Sequence, residues 1–206
     1  SKNLLIETFN GSSISKLLVF PTNTSLYPGP ISLLNDSSFK EKQGCFVSLH
    51  SFPQNSLRGC VGFPLPVMPL WQACIQASVS AAFEDSRFLP LKISELSKTL
   101  VEVSVLSKPE ELKCKKEELP EKIEIGLDGL IVRKGARSGL LLPVVAAEYK
   151  WSAEEFLEQT CEKAGLSNEC WKDKSVILQK FQSQVFKECR PSDKVVEVDL
   201  KSLLNE

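Results

Sequence analysis

The chain has 206 residues, of which 42% are hydrophobic and 25% are charged, proportions that are ordinary for a soluble globular protein with a real core. Its formal net charge of −1 argues against non-specific binding of nucleic acid, which depends on a basic surface. No apolar run approaches the roughly 20 residues that cross a bilayer, so we expect no membrane contact.

The first forty or so residues are rich in Ser, Asn, Thr and Pro and carry only short apolar islands. They lack a basic region followed by a long apolar core, so the sequence shows no secretory signal. The seven cysteines are irregularly spaced and include no CxxC pair, which is typical of reduced thiols rather than of a disulfide framework. We therefore predict an intracellular location, cytoplasmic or, in a eukaryote, nuclear.

Residues 44–50 and 57–63 have the composition of two short β-strands, and the loop between them contains Pro53 and Asn55. This pattern predicts an antiparallel hairpin. Because side chains alternate between the faces of a sheet, the hairpin should bury one aliphatic set together: Val47, Leu49, Leu57 and Val61. The opposite face then collects the polar set: Ser48, His50, Arg58 and Cys60.

The predicted register of this hairpin places Ser48 opposite Cys60 and His50 opposite Arg58. A diagonal neighbour lies about 7–8 Å away at the backbone, so a modest swing would bring His50 near Cys60. His50 is the only histidine in the chain, so a cysteine nucleophile served by a histidine base has no other candidate. The alternatives are that His50 ends a strand at the surface, or that a slip or a bulge at Gly59 separates the pair.

Cys60 stands in the segment LRGCVG, beside Arg58 and between Gly59 and Gly62. A neighbouring guanidinium favours the thiolate, and glycine lets the backbone approach a ligand closely. These residues are therefore candidates for a catalytic thiol and for substrate binding. The competing interpretation is a buried strand cysteine, with the glycines marking a bulge.

Residues 69–83 predict a helix that opens with a proline and is rich in alanine, which would let it lie close on a sheet. Two carboxylates, Glu84 and Asp85, follow at its C-terminal end, where the helix dipole disfavours negative charge. Arg87 is the obvious compensating partner. The three residues are candidates for substrate binding and, equally, for an ion pair that fixes the turn.

Residues 101–107 alternate valine with other residues, which is typical of a half-buried strand. Glu102 lies among these valines, where an ionised carboxylate must be paired or face a cleft. With Glu84 or Asp85 it is a candidate for substrate binding, acid–base chemistry or a hard cation, although no spacing enforces that geometry. With one histidine and scattered cysteines, we expect no zinc site and predict no metal.

The densest lysines are interleaved with glutamates: Lys113, Lys115 and Lys116 alternate with Glu110, Glu111, Glu117 and Glu118. We interpret this stretch, residues 109–120, as a solvated charged connector and a plausible subdomain boundary.

Three short strands are predicted after the connector, at residues 123–125, 129–133 and 139–142. Ser152 and Glu155 have the spacing of a capping box, which opens a helix that ends at Gly165. The apolar stripe of that helix makes Cys161 a core thiol. Residues 176–187 then return as a strand that a polar patch interrupts.

Five segments resemble the AMMECR protein family in order along the chain: LRGCVG, AAFEDSRFLPL, VEVSVLSKPEEL, GLDGLIVRKGARSGLLLPVVA and EEFLEQTCEKAGLSNECW. The resemblance implies an α+β fold in two unequal subdomains, each an antiparallel sheet with flanking helices. It also implies that the LRGC segment lies near a cleft between them. We expect the larger subdomain at residues 1–118 and 173–206, and the smaller one, with three short strands and a helix, at 119–172.

The resemblance supplies no reaction. Prokaryotic members occur alongside or fused to radical-SAM and Memo-type domains, which implies a shared small-molecule or modification pathway. Three functions stay open: an enzyme domain with Cys60 as nucleophile, a non-catalytic binding or regulatory module for a small molecule or a protein, and a packing role of the LRGC segment. The sequence also leaves the cofactor and the oligomeric state open.

Overall fold

A computed structural model gives the fold and describes residues 37–205. Nearly all of the N-terminal segment, rich in Ser and Asn, lies outside the described residues. The architecture is α+β, as predicted, with paired β-strands, α-helices and short 3-10 helices. Within residues 37–205, no helix is both long and apolar enough to cross a bilayer.

The described residues form two compact units, and each has its own hydrophobic core. The first unit comprises residues 37–105 and 184–198, and the second comprises 106–183 and 199–205. One boundary falls inside a long strand, β7 (Ile177–Glu188). The subdomain limits expected from the sequence stay a prediction.

The first unit contains the strands β1 (Gly44–Ser51), β2 (Leu57–Phe63), β3 (Thr99–Leu106) and β8 (Val195–Val198). They form a sheet with the order β2–β1–β3–β7, in which β8 also pairs with β7. The predicted antiparallel hairpin of β1 and β2 is confirmed. Its buried side contributes Cys45, Val47 and Leu49 to the core, because alternate residues of β1 point the same way.

A short helix, α1 (Ser37–Lys40), precedes β1. The longer helix α2 (Leu70–Phe83) packs on this sheet and lies close to the predicted range. Its buried face consists largely of small residues, Ala73, Cys74, Ala77 and Ala81. The helix therefore comes so close to β2 that a Cβ atom at Gly59 would lie 2.0 Å from the carbonyl oxygen of Ala81. Only glycine fits between the two elements at this point.

The second unit pairs β5 (Asp128–Lys134) with β6 (Arg137–Leu141) and with the first half of β7, and β4 (Glu110–Glu111) also pairs with β7. The strands predicted near 129–133 and 139–142 are confirmed. The one predicted at 123–125 is wrong, because the chain there leaves a 3-10 helix and turns at Gly126 with φ +79°. β7 continues through its polar patch without a break.

Two helices complete the second unit, α3 (Pro143–Glu148) and α4 (Ala153–Lys163). The predicted capping box of α4 is confirmed: Ser152 N donates to Glu155 Oε2 at 2.8 Å, and Glu155 N donates to Ser152 Oγ at 3.3 Å. Cys161 lies in the core, as predicted, but it forms a disulfide with Cys170 and is not a free thiol. A turn at Gly165 brings the two cysteines together, and their spacing matches no common motif.

Candidate functional site

The register of the hairpin places Ser48 opposite Cys60, as predicted. The Ser48 hydroxyl donates to the Cys60 sulfur with an Oγ–Sγ distance of 3.2 Å. The register then shifts between Leu49 and His50, so His50 pairs with Leu57. The predicted pairing of His50 with Arg58 is therefore wrong, because the irregularity adds one residue to β2.

Leu57 lies beyond the irregularity and is 39% exposed, so its predicted place in the buried aliphatic set is also wrong. The imidazole of His50 lies over the hairpin loop, where Nδ1 is 3.4 Å from the carbonyl oxygen of Asn55. Its Nε2 is buried and has no partner among the described residues. Within residues 37–205, no hydrogen bond joins His50 to Cys60.

The guanidinium of Arg58 is held by the loop that follows α2. Nε and Nη2 donate to the two carboxylate oxygens of Glu95, at 2.9 and 3.2 Å. Nη1 donates to the carbonyl oxygen of Leu89 at 2.7 Å, and Nη2 also donates to that of Pro90 at 3.3 Å. The hydrogen bonds from Arg58, helped by the N–H of Lys92, keep the pKa of Glu95 below its usual range. Arg58 therefore uses its N–H donors to fix this loop, whereas the sequence analysis expected them to face a ligand.

Asp85 and Arg87 bind the backbone of Cys60. The N–H of Cys60 donates to Asp85 Oδ2 at 2.8 Å, and Arg87 Nη2 donates to the carbonyl oxygen of Cys60 at 3.2 Å. The two side chains also pair with each other, through Nε–Oδ1 at 2.9 Å and Nη2–Oδ2 at 2.7 Å. They occupy the edge of β2 at which an additional strand would otherwise pair.

The charges of this pair stabilise each other. The side chain of Asp85 is 7% exposed, and the guanidinium of Arg87, helped by the N–H of Cys60, holds its pKa well below the usual range. Asp85 in turn raises the pKa of Arg87, and Cys60 acts in the same direction. The side chain of Arg87 is 57% exposed and also lies 5.4 Å from the ring centroid of Phe88. A cation that solvent reaches therefore stands beside Cys60.

The two glycines next to Cys60 fit against the protein. Gly59 faces α2, and a Cβ atom at Gly62 would lie 2.3 Å from the carbonyl oxygen of Cys45 and 2.5 Å from the ring of Phe46. Close packing therefore accounts for both glycines. Their predicted contact with substrate stays a prediction.

The other candidate carboxylates have separate partners. Glu84 is exposed and accepts a hydrogen bond from Ser80 Oγ at 2.5 Å. Glu102 lies 3.7 Å from Lys187 Nζ. Within the part of the chain that the structure describes, Glu84, Asp85 and Glu102 do not form a cluster that could hold a metal ion.

Glu95 is a site residue that the sequence analysis did not find. It lies 37 positions after Arg58, so no local spacing connects the two. The only signal is its position three residues after Lys92, whose N–H donates to Glu95 Oε2 at 2.8 Å. That spacing marks the start of a helix and does not indicate a partner on β2.

Comparisons with known proteins agree along most of the chain. The family model described as AMMECR1 matches residues 23–186. A protein of Aquifex aeolicus is 52% identical over 163 residues, which cover 79% of this chain and 84% of its own, and one of Thermococcus onnurineus is 51% identical over 158 residues, covering 75% and 77%. The crystal structure of the uncharacterized protein PH0010 from Pyrococcus horikoshii aligns with a TM-score of 0.77 at 39% identity, covering 95% of both chains.

Proposed function

The chain belongs to the AMMECR1 family, and from this membership and the surroundings of Cys60 we propose that it is a cysteine-dependent enzyme domain acting on a small molecule. The observation that carries the proposal is the hydrogen bond from Ser48 Oγ to the half-buried sulfur of Cys60, at 3.2 Å. A hydroxyl that donates to sulfur favours the thiolate, which is the nucleophilic form. Cys60 is half-buried rather than sealed in the core, which the proposal requires of a reactive thiol.

In this proposal Arg87 supplies the nearby cation. Its side chain is 57% exposed, and although Nε and Nη2 pair with Asp85, no described residue accepts a hydrogen bond from Nη1. Nη1 can therefore stabilise a negative charge that develops on a bound substrate. The backbone N–H of Cys60 cannot share that task, because it already donates to Asp85. Arg58 is held by Glu95 and by two carbonyl groups, so we assign it to positioning of the loop.

A non-catalytic binding or regulatory module is the second candidate. One observation favours it: the described residues around Cys60 include no base in hydrogen-bond contact with the sulfur. Under this alternative the exposed guanidinium of Arg87 binds an anionic ligand and Cys60 only lines the surface. The cleft near Cys60, the intracellular location and the pathway shared with radical-SAM and Memo-type proteins stay predictions.

Alkylation of the intact protein by iodoacetamide at pH 7, followed by peptide mass spectrometry, tests the proposal. Cys189 is exposed and provides an unactivated reference, and Cys45 and Cys74 are buried and should not react. The hydrogen bond with Cys45, together with burial, raises the pKa of Cys74, which further protects that thiol. We expect Cys60 to react faster than Cys189.

The variant Ser48→Ala separates the two candidates. A hydrogen bond of this kind contributes about 0.5–1.5 kcal/mol, so its loss should slow the alkylation of Cys60 about two- to tenfold. Ser86→Ala, an exposed serine next to Asp85, is the matched control and should change nothing. A Cys60 that reacts like Cys189 in the wild type and in both variants supports the binding module. A Cys60 that reacts only after unfolding excludes the enzyme.

A further inference from the structure

A cavity of about 410 Å³ opens in the second unit, away from the residues that surround Cys60 in sequence. One wall consists of residues 111–116, from the last residue of β4 onward, and the other consists of Lys174, Val176 and the first two residues of β7. Its volume lies in the range of pockets that bind small molecules. The charged connector of the sequence thus forms one wall of a cavity.

Two hydrogen bonds hold the walls together. The backbone N–H of Leu112 donates to the carbonyl oxygen of Leu178 at 2.9 Å, and Lys116 Nζ donates to that of Val176 at 3.0 Å. Val176 and Leu178 are 3% and 2% exposed and form a packed floor, whereas Ile177, which also lines the cavity, is 48% exposed. The cavity therefore offers an apolar surface for the carbon skeleton of a ligand.

The polar part of the lining is strongly basic. Four lysines line the cavity, Lys113, Lys115, Lys116 and Lys174, against one glutamate, Glu111. The other glutamates that alternate with these lysines in the sequence are not part of the lining. Lys113, Lys115 and Lys174 are exposed, and among residues 37–205 none of them forms an ion pair.

This surplus of positive charge contrasts with the net charge of −1 of the whole chain. Like charges that gather without counter-ions repel each other, and an anion in the cavity would relieve that repulsion. Lysine binds phosphate as a compact point charge, without the planar geometry that arginine imposes on its partners.

We propose that this cavity binds a small organic dianion, a phosphate monoester or a dicarboxylate. Lys113, Lys115 and Lys174 bind the charged groups, and Leu112 and Ile177 contact the carbon part. The site shares no residue with the surroundings of Cys60, so it stands or fails independently of the proposed enzyme function.

Cys114 provides the readout, because it lines the same cavity and is a free, half-buried thiol. Iodoacetamide alkylates Cys114 in the intact protein, with glycerol 3-phosphate or succinate as the probe and with ionic strength matched by KCl. A bound anion blocks the thiol, and at about four times its Kd it should slow the alkylation of Cys114 about fivefold. Stronger protection by glycerol 3-phosphate indicates a phosphate monoester, and stronger protection by succinate indicates a dicarboxylate. The alkylation rate of Cys189, which lies outside the cavity and is measured in the same digest, should not change.

A triple variant decides the outcome: Lys113→Gln, Lys115→Gln and Lys174→Gln together should abolish the protection. The matched control removes three exposed lysines elsewhere: Lys40→Gln, Lys98→Gln and Lys163→Gln. It should keep the fivefold effect. Protection that is absent in the wild type, or equal in the wild type and the triple variant, overturns the proposal.

Discussion

The Asp85 carboxylate lies 2.8 Å from the backbone nitrogen of Cys60 and accepts its hydrogen bond. Arg87, which pairs with Asp85, donates to the carbonyl oxygen of the same cysteine at 3.2 Å. Two side chains from one loop therefore satisfy both backbone groups that an edge strand exposes at this residue. The position of the Cys60 thiol thus depends on the turn that ends α2.

The variant Asp85→Asn should lower stability in a pH-dependent way. The folded-state pKa of Asp85 is depressed below the ordinary value of about 3.9. As the pH falls through this range the unfolded state binds more protons, so the stability that Asp85 contributes is complete above about pH 5 and is lost toward lower pH. Loss of its charge-assisted bonds should cost about 1–3 kcal/mol at pH 7.

Urea unfolding at pH 7 and pH 3 measures this effect. The difference in the free energy of unfolding between wild type and Asp85→Asn should be smaller at pH 3 than at pH 7. An equal difference at both pH values contradicts the stabilising role assigned to the ionised Asp85. Asp173→Asn is the matched control, because Asp173 also has a depressed pKa, caused first by Lys134, but lies in an exposed pair. An exposed pair contributes little, so we expect little change in stability.

His50→Ala should leave the reactivity of Cys60 nearly unchanged, within about twofold at pH 7. The reason is that the imidazole contacts the carbonyl group of Asn55, whereas Ser48 contacts the sulfur. Alkylation of Cys60 by iodoacetamide, compared with the Ser48→Ala variant in the same assay, provides the measurement. If removal of the imidazole slows Cys60 as much as removal of the hydroxyl, the Cys60–His50 dyad suggested by the sequence must be restored.

The hairpin shows what the sequence can and cannot predict at this site. Alternation of residue types was enough to predict that Ser48 faces Cys60, because that pair lies in the regular part of the ladder. The same rule failed at His50, two residues away, because alternation alone assumes a regular ladder. The alternative, a bulge at Gly59, agrees with the structure, in which the extra residue of β2 directly precedes Gly59. The sequence analysis also missed the hydrogen bonds between Arg58 and Glu95 and the disulfide between Cys161 and Cys170. The reason is related, because only the folded chain brings the members of each pair together.

Gly59→Ala should destabilise the first unit by about 3 kcal/mol, near the upper end of the cost of overpacking. Its Cβ atom would lie 2.0 Å from a backbone oxygen of α2, and neither element can move without disturbing the core. Thermal or urea unfolding gives the value. Gly135→Asn is the control, since no other group lies within 4 Å of a Cβ atom there and asparagine tolerates φ +58°. Gly135→Asn should change the free energy of unfolding by no more than about 0.5 kcal/mol. An equally small change for Gly59→Ala would disprove the close contact.

Reduction of the disulfide between Cys161 and Cys170 should lower the free energy of unfolding by about 2–3 kcal/mol. The bond closes a loop between residues nine positions apart and restricts the unfolded chain. Urea unfolding of the wild type with and without dithiothreitol measures the effect, and the double variant Cys161→Ala/Cys170→Ala should not respond to the reductant. A wild type that is equally insensitive would show that these cysteines are reduced in solution, as the sequence suggested.

Lys180→Met should destabilise the second unit by about 3 kcal/mol, because it leaves a buried carboxylate without its cation. The side chain of Asp128 is 1% exposed, and its Oδ2 accepts from Lys180 Nζ and from the N–H of Glu124, both at 3.0 Å. Lys180 itself is 31% exposed, which places the expected cost at the low end of the range for buried pairs.

Two further variants show whether the cost arises from the stranded carboxylate. Lys134→Met breaks the exposed pair with Asp173, whose side chains are 43% and 41% exposed, and should change stability little. Adding Asp128→Leu to Lys180→Met removes the buried charge as well and should recover most of the loss, since an apolar pair of similar size can replace a buried ion pair. If the double variant is no more stable than Lys180→Met, the loss reflects packing of the lysine stem rather than an unpaired charge.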